Sequence, residues 1–368
     1  MKVELIDLKQ RFKNEEKTIM KIVHKVLSKG NLILTKEVQN FEKSICKYTN
    51  SKYCLGLNSG TDALMMSLWS SGIKRGDEVI TSPISFVATA NAIVHVGAKP
   101  VFVDVSDDLN INPDLIENAI TKKTKAIIPV HWTGRVCKMD KIMKIAKKYR
   151  LIVIEDAAQA TGAYFKNKHA GTFGKISAFS THPLKNLNAL GDGGFIITNE
   201  KKLYDKIKLY RSHGLEGRDD AKIIGVNSRL DSLNAEVLTF RLKKLKEIIK
   251  KRKKNISLYR KYIKTDNVQI LDDNKEETNS YVMFITLSKK REKLQSYLKK
   301  FKIQSLLYYP TPLHMHKSMK FLKYVKGSFP NAERITDEVI SFPHHQYISE
   351  KQIKYVCNKI NNFYSKKQ

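Results

Sequence analysis

The sequence predicts an α/β fold, a mostly parallel central sheet with helices on both faces, followed by a smaller C-terminal α+β domain. Three observations carry that prediction. Between about residues 54 and 200, short β-rich runs alternate with helix-period stretches, the pattern of a parallel sheet covered by helices. Several of those runs end in Gly, Ser, Thr, Asp or His, at the strand ends where open α/β sheets place their ligands. After residue 227 the pattern changes to a long charged amphipathic stretch and then to mixed strand and helix signals. The chain has 368 residues, and at roughly 100–200 residues per domain this length fits two domains, a large one over 1–245 and a small one over 246–368.

In order along the chain, strands are expected at 79–82, 99–104, 125–130, 151–155, 176–180 and 194–198. Helical periodicity covers 62–71, 87–96, 113–120 and 139–149. The stretch from 227 to about 264 reads as one connecting helix, with Leu233, Val237, Phe240, Leu245 and Ile248 as core contacts. Beyond it, 279–287 alternates like a strand, 291–301 like a helix and 303–309 like a second strand.

Composition narrows the function. Hydrophobic residues are 42% of the chain and aromatics 9%, enough for a substantial core, which excludes a disordered or fibrous protein. Met1 is followed by Lys2, Glu4 and Asp7 rather than by an export signal, and no apolar run approaches the ~20 residues of a membrane span. A cytoplasmic protein without membrane partners is expected. Cys46, Cys54, Cys137 and Cys357 lack C-x-x-C spacing, so neither a metal site nor a disulfide framework is expected. With 67 Lys and Arg against 36 Asp and Glu, the net charge is +31. Such a field draws any polyanion. The basic residues are dispersed, however, and no recognised nucleic-acid motif accompanies them, so no nucleic-acid partner is expected.

The chemistry concentrates in two segments. Residues 151–155 form an apolar strand that delivers Asp156 into the small residues Ala157, Ala158 and Ala160. Lys185 follows Asp156 by 29 residues, flanked by Pro183 and Asn186 and just ahead of Gly191, Gly193 and Gly194. A lysine able to form an imine and a carboxylate facing a pyridinium nitrogen are what pyridoxal phosphate needs. Asp156 also suits a helix N-cap, and the two roles can coexist. Ser59-Gly60-Thr61 opens a helix whose free N–H groups and dipole make an anion site.

With these segments on the page, the chain resembles the DegT/DnrJ/EryC1/StrS aminotransferases, pyridoxal-phosphate enzymes that mostly aminate keto groups of nucleotide-linked sugars. The likeness runs through Asn58 to Leu64, Gly76 to Ile80, Ser85 to Ala92, Gly97 to Val105, Glu155 to Ala160, His182 to Asn186, Gly191 to Gly194, Arg211 to Gly214, Gly225 to Leu230 and Tyr309 to His314. It implies the type I aminotransferase fold with pyridoxal 5′-phosphate as cofactor. It implies Lys185 as the catalytic lysine that binds the cofactor, Asp156 at its ring nitrogen, Phe86 stacked on the ring and Gln159 near its 3′-oxygen. Gly60, Thr61 and Ser180 would hold the phosphate, with Asn227 reaching it from the second subunit of a homodimer whose active sites are shared.

His182, Arg229 and His314 are candidate substrate contacts, as are Arg135 and Arg218. The implied reaction moves an amino group from an amino acid, L-glutamate, to a nucleotide-linked keto-deoxy sugar. Asp192 in Gly191-Asp192-Gly193-Gly194 is similar to members acting at C-3 of a keto-6-deoxyhexose, which favours a dTDP-linked 3-keto sugar. The alternatives are C-4 amination of a GDP- or UDP-linked sugar, a cyclitol or aminobenzoate-type aminotransferase, and a non-catalytic polyanion-binding regulator on the same scaffold.

Overall fold

The alternation of the first half folds into one sheet. The computed structural model describes residues 1–365, and in it seven strands stand side by side: β1 (Tyr53–Leu57), β2 (Glu78–Thr81), β3 (Lys99–Phe102), β4 (Thr124–Ile128), β5 (Ile152–Asp156), β6 (Ile176–Ser180) and β7 (Gly194–Thr198). Their spatial order is β1-β7-β6-β5-β4-β2-β3. The strands β2 to β6 pair in parallel, while β7 runs antiparallel to both β6 and β1.

Neighbouring residues of each strand serve two different cores. Leu55, Val79, Ala126, Ile154 and Ile196 pack on one face beneath α3 (Gly60–Ser70), α4 (Ala88–His95) and α6 (Lys201–Tyr210). Cys54, Ile80, Ile127, Val153 and Ile197 pack on the other beneath α2 (Lys36–Thr49), α5 (Met139–Tyr149) and α7 (Ser232–Leu242). A one-residue slip would exchange the two sets, so this burial fixes the register.

The C-terminal part carries a three-stranded antiparallel sheet, β8 (Val268–Ile270), β9 (Ile285–Ser288) and β10 (Val339–Ser341), in that order. α8 (Leu245–Tyr262), α9 (Arg291–Lys300) and α11 (Glu350–Ser365) pack together beside it, and α10 (Pro330–Glu338) leads into β10. α1 (Leu8–Leu27) lies on α7, and the residues before it cross to the C-terminal part, where Val3 bridges Ile303.

Several elements differ from the sequence reading. Residues 113–120 form two short 3-10 turns, Pro113–Leu115 and Glu117–Ala119, with Pro113 in the first turn and Asn112 capping Asp114. The expected connecting helix is broken at Lys243 and Lys244 into α7 and α8. Only the end of 279–287 joins a ladder, and 303–309 forms isolated bridges instead of a strand. Among the described residues, no helix is long and apolar enough to cross a membrane, and all four cysteines are unpaired.

Candidate active site

The carboxyl ends of the parallel strands converge with the entry to α3. Leu57 at the end of β1 is paired with Gly194, and Gly194 with Ser180 at the end of β6. Ser59 caps α3, its Oγ accepting from Asp62 N at 3.0 Å. The helix start is pressed against β6: a Cβ at Gly60 would stand 2.8 Å from Ser180 Cβ. Only glycine lets the two approach so closely.

Above these ends lies a pocket of ≈330 Å³. Gly60, Thr61, Phe86, Asp156, Gln159, Ser180, His182 and Lys185 all line it. Residues far apart in sequence therefore meet as a set.

Asp156 is 5% exposed. Its Oδ2 accepts from Thr89 Oγ1 at 2.7 Å and its Oδ1 from Ala158 N at 3.2 Å. Ser85 Oγ lies 2.6 Å from Thr89 Oγ1, extending the chain of hydroxyls. Burial pushes the Asp156 carboxyl above its ordinary range, opposed by the Thr89 and Ala158 hydrogen bonds and by the Lys185 charge. Lys185 is pulled down to about 8, because burial disfavours its ammonium more than Asp156 favours it. An amine so placed is partly neutral near physiological pH.

Gln159 is buried, its Oε1 accepting from Thr133 N at 2.8 Å. It also interacts with Tyr309, whose ring lies 5.8 Å from Phe86. His182 is exposed at the rim, and burial still lowers its imidazole pKa.

Five of the expected site residues do not line this pocket. Asn227 is exposed on the segment that docks against α3, where Ser228 Oγ donates to Asp62 Oδ2 at 2.7 Å. Its own Oδ1 accepts from Arg229 Nε at 3.0 Å. Arg229 lines a different cavity, with Lys201, Asp205 and Arg211. His314 is buried against Glu333, with Nε2 3.0 Å from Oε1. The guanidinium of Arg135 is likewise turned into the protein, 3.3 Å from Glu277 and bonded to the Asp272 carbonyl. Arg218 falls in the turn between the two-residue strands Leu215–Glu216 and Asp220–Ala221.

The sequence reading missed Thr89, which bonds Asp156, Ser85, which bonds Thr89, and Tyr309 and His344, which complete the wall. Ser85 stands in the bend before α4 and Thr89 in its first turn, and no local pattern ties either to Asp156. Among the described residues, no group of three His, Cys, Asp or Glu is placed to hold a metal.

The donor set fits pyridoxal phosphate. An amine that can be neutral, a buried acid, a helix N-terminus closed by Gly60 against Ser180 and an aromatic ring at the mouth are the groups that cofactor requires.

Comparison with known proteins agrees. The pattern of the DegT/DnrJ/EryC1/StrS aminotransferase family matches residues 13–361. The chain is 38% identical over 368 residues to a Geobacillus stearothermophilus protein named as a pleiotropic regulatory protein, covering 99% of each chain. It is 37% identical to the dTDP-3-amino-3,6-dideoxy-α-D-galactopyranose transaminase of Aneurinibacillus thermoaerophilus, covering 98% of this chain and 99% of that one. The crystal structure of DesV from S. venezuelae, in complex with a ketimine intermediate, superposes with a TM-score of 0.97 at 30% identity and covers 100% of both chains. The lysine, the acid and the phosphate-ready helix start thus lie on a scaffold shared along its whole length, and the chain belongs to the DegT/DnrJ/EryC1/StrS aminotransferase family, as a PLP-dependent aminotransferase of type I fold.

Proposed function

We propose that this aminotransferase takes its amino group from L-glutamate and delivers it to the keto carbon of a nucleotide-linked deoxy sugar, with a dTDP-linked 3-keto-6-deoxyhexose as the first candidate. The observation that carries this reading is the meeting of Lys185 and Asp156 in one pocket, beside the start of α3. Bound pyridoxal phosphate supplies the electron sink that makes a substrate Cα–H acidic.

The chain's own residues do the rest. Lys185 holds the cofactor through Nζ and, when displaced, carries a proton to and from the substrate carbon; a pKa of about 8 leaves the amine basic enough to accept that proton and neutral often enough to attack. Asp156 holds the proton of the ring nitrogen, and Thr89 fixes the orientation of the carboxylate. Backbone N–H groups at Gly60 and Thr61, with Ser180, take the phosphate. Phe86, 53% exposed in the single chain, would offer its ring face for stacking, and Gln159 would stand near the cofactor's 3′-oxygen.

The reading includes a homodimer. Asn227 is exposed and outside its own chain's pocket, as a residue serving a neighbouring site would be. Phe12, Met20, Leu27, Leu32 and Ile33 leave an exposed apolar surface that a second copy would cover.

Relatives are named for dTDP-, UDP- and GDP-linked chemistry. A chain of net charge +31 favours the approach of any diphosphate-linked substrate. The proposed setting is the cytoplasm. The test is to incubate the PLP-loaded protein with L-glutamate and a panel of dTDP-, UDP- and GDP-linked keto sugars, reading amino-sugar formation by mass. Product from a dTDP-linked 3-keto sugar is expected. Failure with every nucleotide sugar, together with turnover of a keto cyclitol, would replace the sugar with a cyclitol.

A further inference from the structure

A second, much smaller cavity adjoins the active-site pocket, sharing Ile6, Leu184 and Lys185 with it. Arg11, Arg252, Asp7 and His345 complete the walls that matter electrostatically. Its ≈10 Å³ has room for one solvent-sized species.

The cavity opens among an excess of buried cations. Arg11 of α1, Arg241 of α7 and Arg252 of α8 are 4%, 5% and 2% exposed, and Glu15 is the carboxylate that Arg11 and Arg241 share. Glu15 Oε2 is 2.9 Å from Arg241 Nη2 and 3.5 Å from Arg11 Nε. Arg252 Nη1 donates to the carbonyls of Tyr281 and Val282, and its Nη2 to Gln346.

That leaves Arg11 Nη2 and Arg252 Nε buried without a hydrogen-bond acceptor, and Arg11 Nε with only the long ion-pair contact to Glu15. Asp7 does not supply one: its Oδ1 caps Gln10 N at 2.8 Å, and these buried donors have no bond to its carboxylate. His345 is held neutral by burial and by the Arg252 charge, its pKa pulled down to about 4. Buried guanidiniums that share too few anions are costly, and an anion placed between them removes that cost.

We propose that this cavity is a site for one monatomic, monovalent anion of the halide class, held by Arg11 and Arg252. The confined volume excludes phosphate and carboxylate ligands. A bound halide ties α1 to α8, behind the lysine loop, so its occupancy stabilises the folded protein by mass action.

The test uses the PLP-loaded full chain, with chloride or bromide replacing gluconate at fixed ionic strength so that screening of the surface charge stays constant. Tm is expected to rise saturably by about 2 °C or more, and Arg252→Met is expected to abolish the response. If Arg252→Met does not fold, Arg11→Met takes its place. Bromide-soaked crystals of the unaltered protein should show an anomalous peak between the two guanidiniums. Equal Tm in halide and gluconate, or a water at that position, would overturn the proposal. A bromide peak without a saturable Tm response identifies an adventitious ion only, and overturns it as well.

Discussion

Glu155 and Asp156 are consecutive acids at the end of β5, and they occupy opposite worlds. Strand geometry points them to opposite faces of the sheet. Glu155 is enclosed: Oε2 takes His131 Nε2 at 2.8 Å and Gly171 N at 2.7 Å, and Oε1 takes Phe173 N at 2.7 Å and Gly174 N at 2.6 Å. Cys137 N donates to His131 Nδ1, which leaves the Nε2 proton for Glu155. Burial raises the Glu155 carboxyl, but these donors outweigh it and the net shift is downward. Asp156 receives a hydroxyl and one backbone N–H, faces the pocket with Lys185, and its net shift is upward. An acid whose acceptor sites are filled by its own protein is a structural anchor. One that keeps acceptor capacity toward a cavity is available to a ligand.

Substitutions should separate the two roles. The largest effect is expected on the pocket side of β5: Lys185→Ala is expected to lower transamination by at least about 10³-fold with Tm nearly unchanged, read by glutamate turnover and thermal unfolding. Asp156→Asn follows, with turnover down by about 10²-fold or more. Because the folded Asp156 carboxyl titrates above its unfolded value, its ionised form costs stability as pH rises past the unfolded pKa. Asp156→Asn should therefore raise the Tm of cofactor-free protein at neutral pH, and the gain should vanish below about pH 3.9.

Glu155→Ala should do the reverse. It leaves His131 and three backbone N–H groups buried without an acceptor, a loss of about 3 kcal/mol or more, measured by denaturant unfolding. Since the folded pKa of Glu155 is lowered, its contribution is present above the unfolded value of about 4.3 and disappears as pH falls through the folded one. Thr89→Val is the mildest change, removing one hydrogen bond to Asp156 and weakening turnover by about 10-fold while Tm barely moves.

Much of this comparison was legible in the sequence. The apolar run of β5 ending in an acid, Lys185 among Pro and Gly, and the Ser-Gly-Thr helix entry are local patterns with local causes. The ligation of Glu155 was not legible, because its partners come from the loops around residues 131 and 171–174, which only the folded sheet brings together. Thr89 was hidden for a similar reason, since its partner is 67 residues away. The misread helix at 113–120 shows that apolar periodicity over so short a span does not separate α from 3-10 turns. The break at Lys243 and Lys244 carries neither Gly nor Pro, so nothing local announces it. His314 and Arg135 are polar residues of a kind able to bind substrate, but internal acids at Glu333 and Glu277 claim them.

The most direct test of the account is the visible absorption of the PLP-loaded protein before and after addition of L-glutamate, in the unaltered chain and in Lys185→Ala. The account predicts a visible band that glutamate removes and 2-oxoglutarate restores in the unaltered chain, with no such cycle in Lys185→Ala. A protein that stays colourless with pyridoxal phosphate, or a band that cycles equally well in Lys185→Ala, would contradict it.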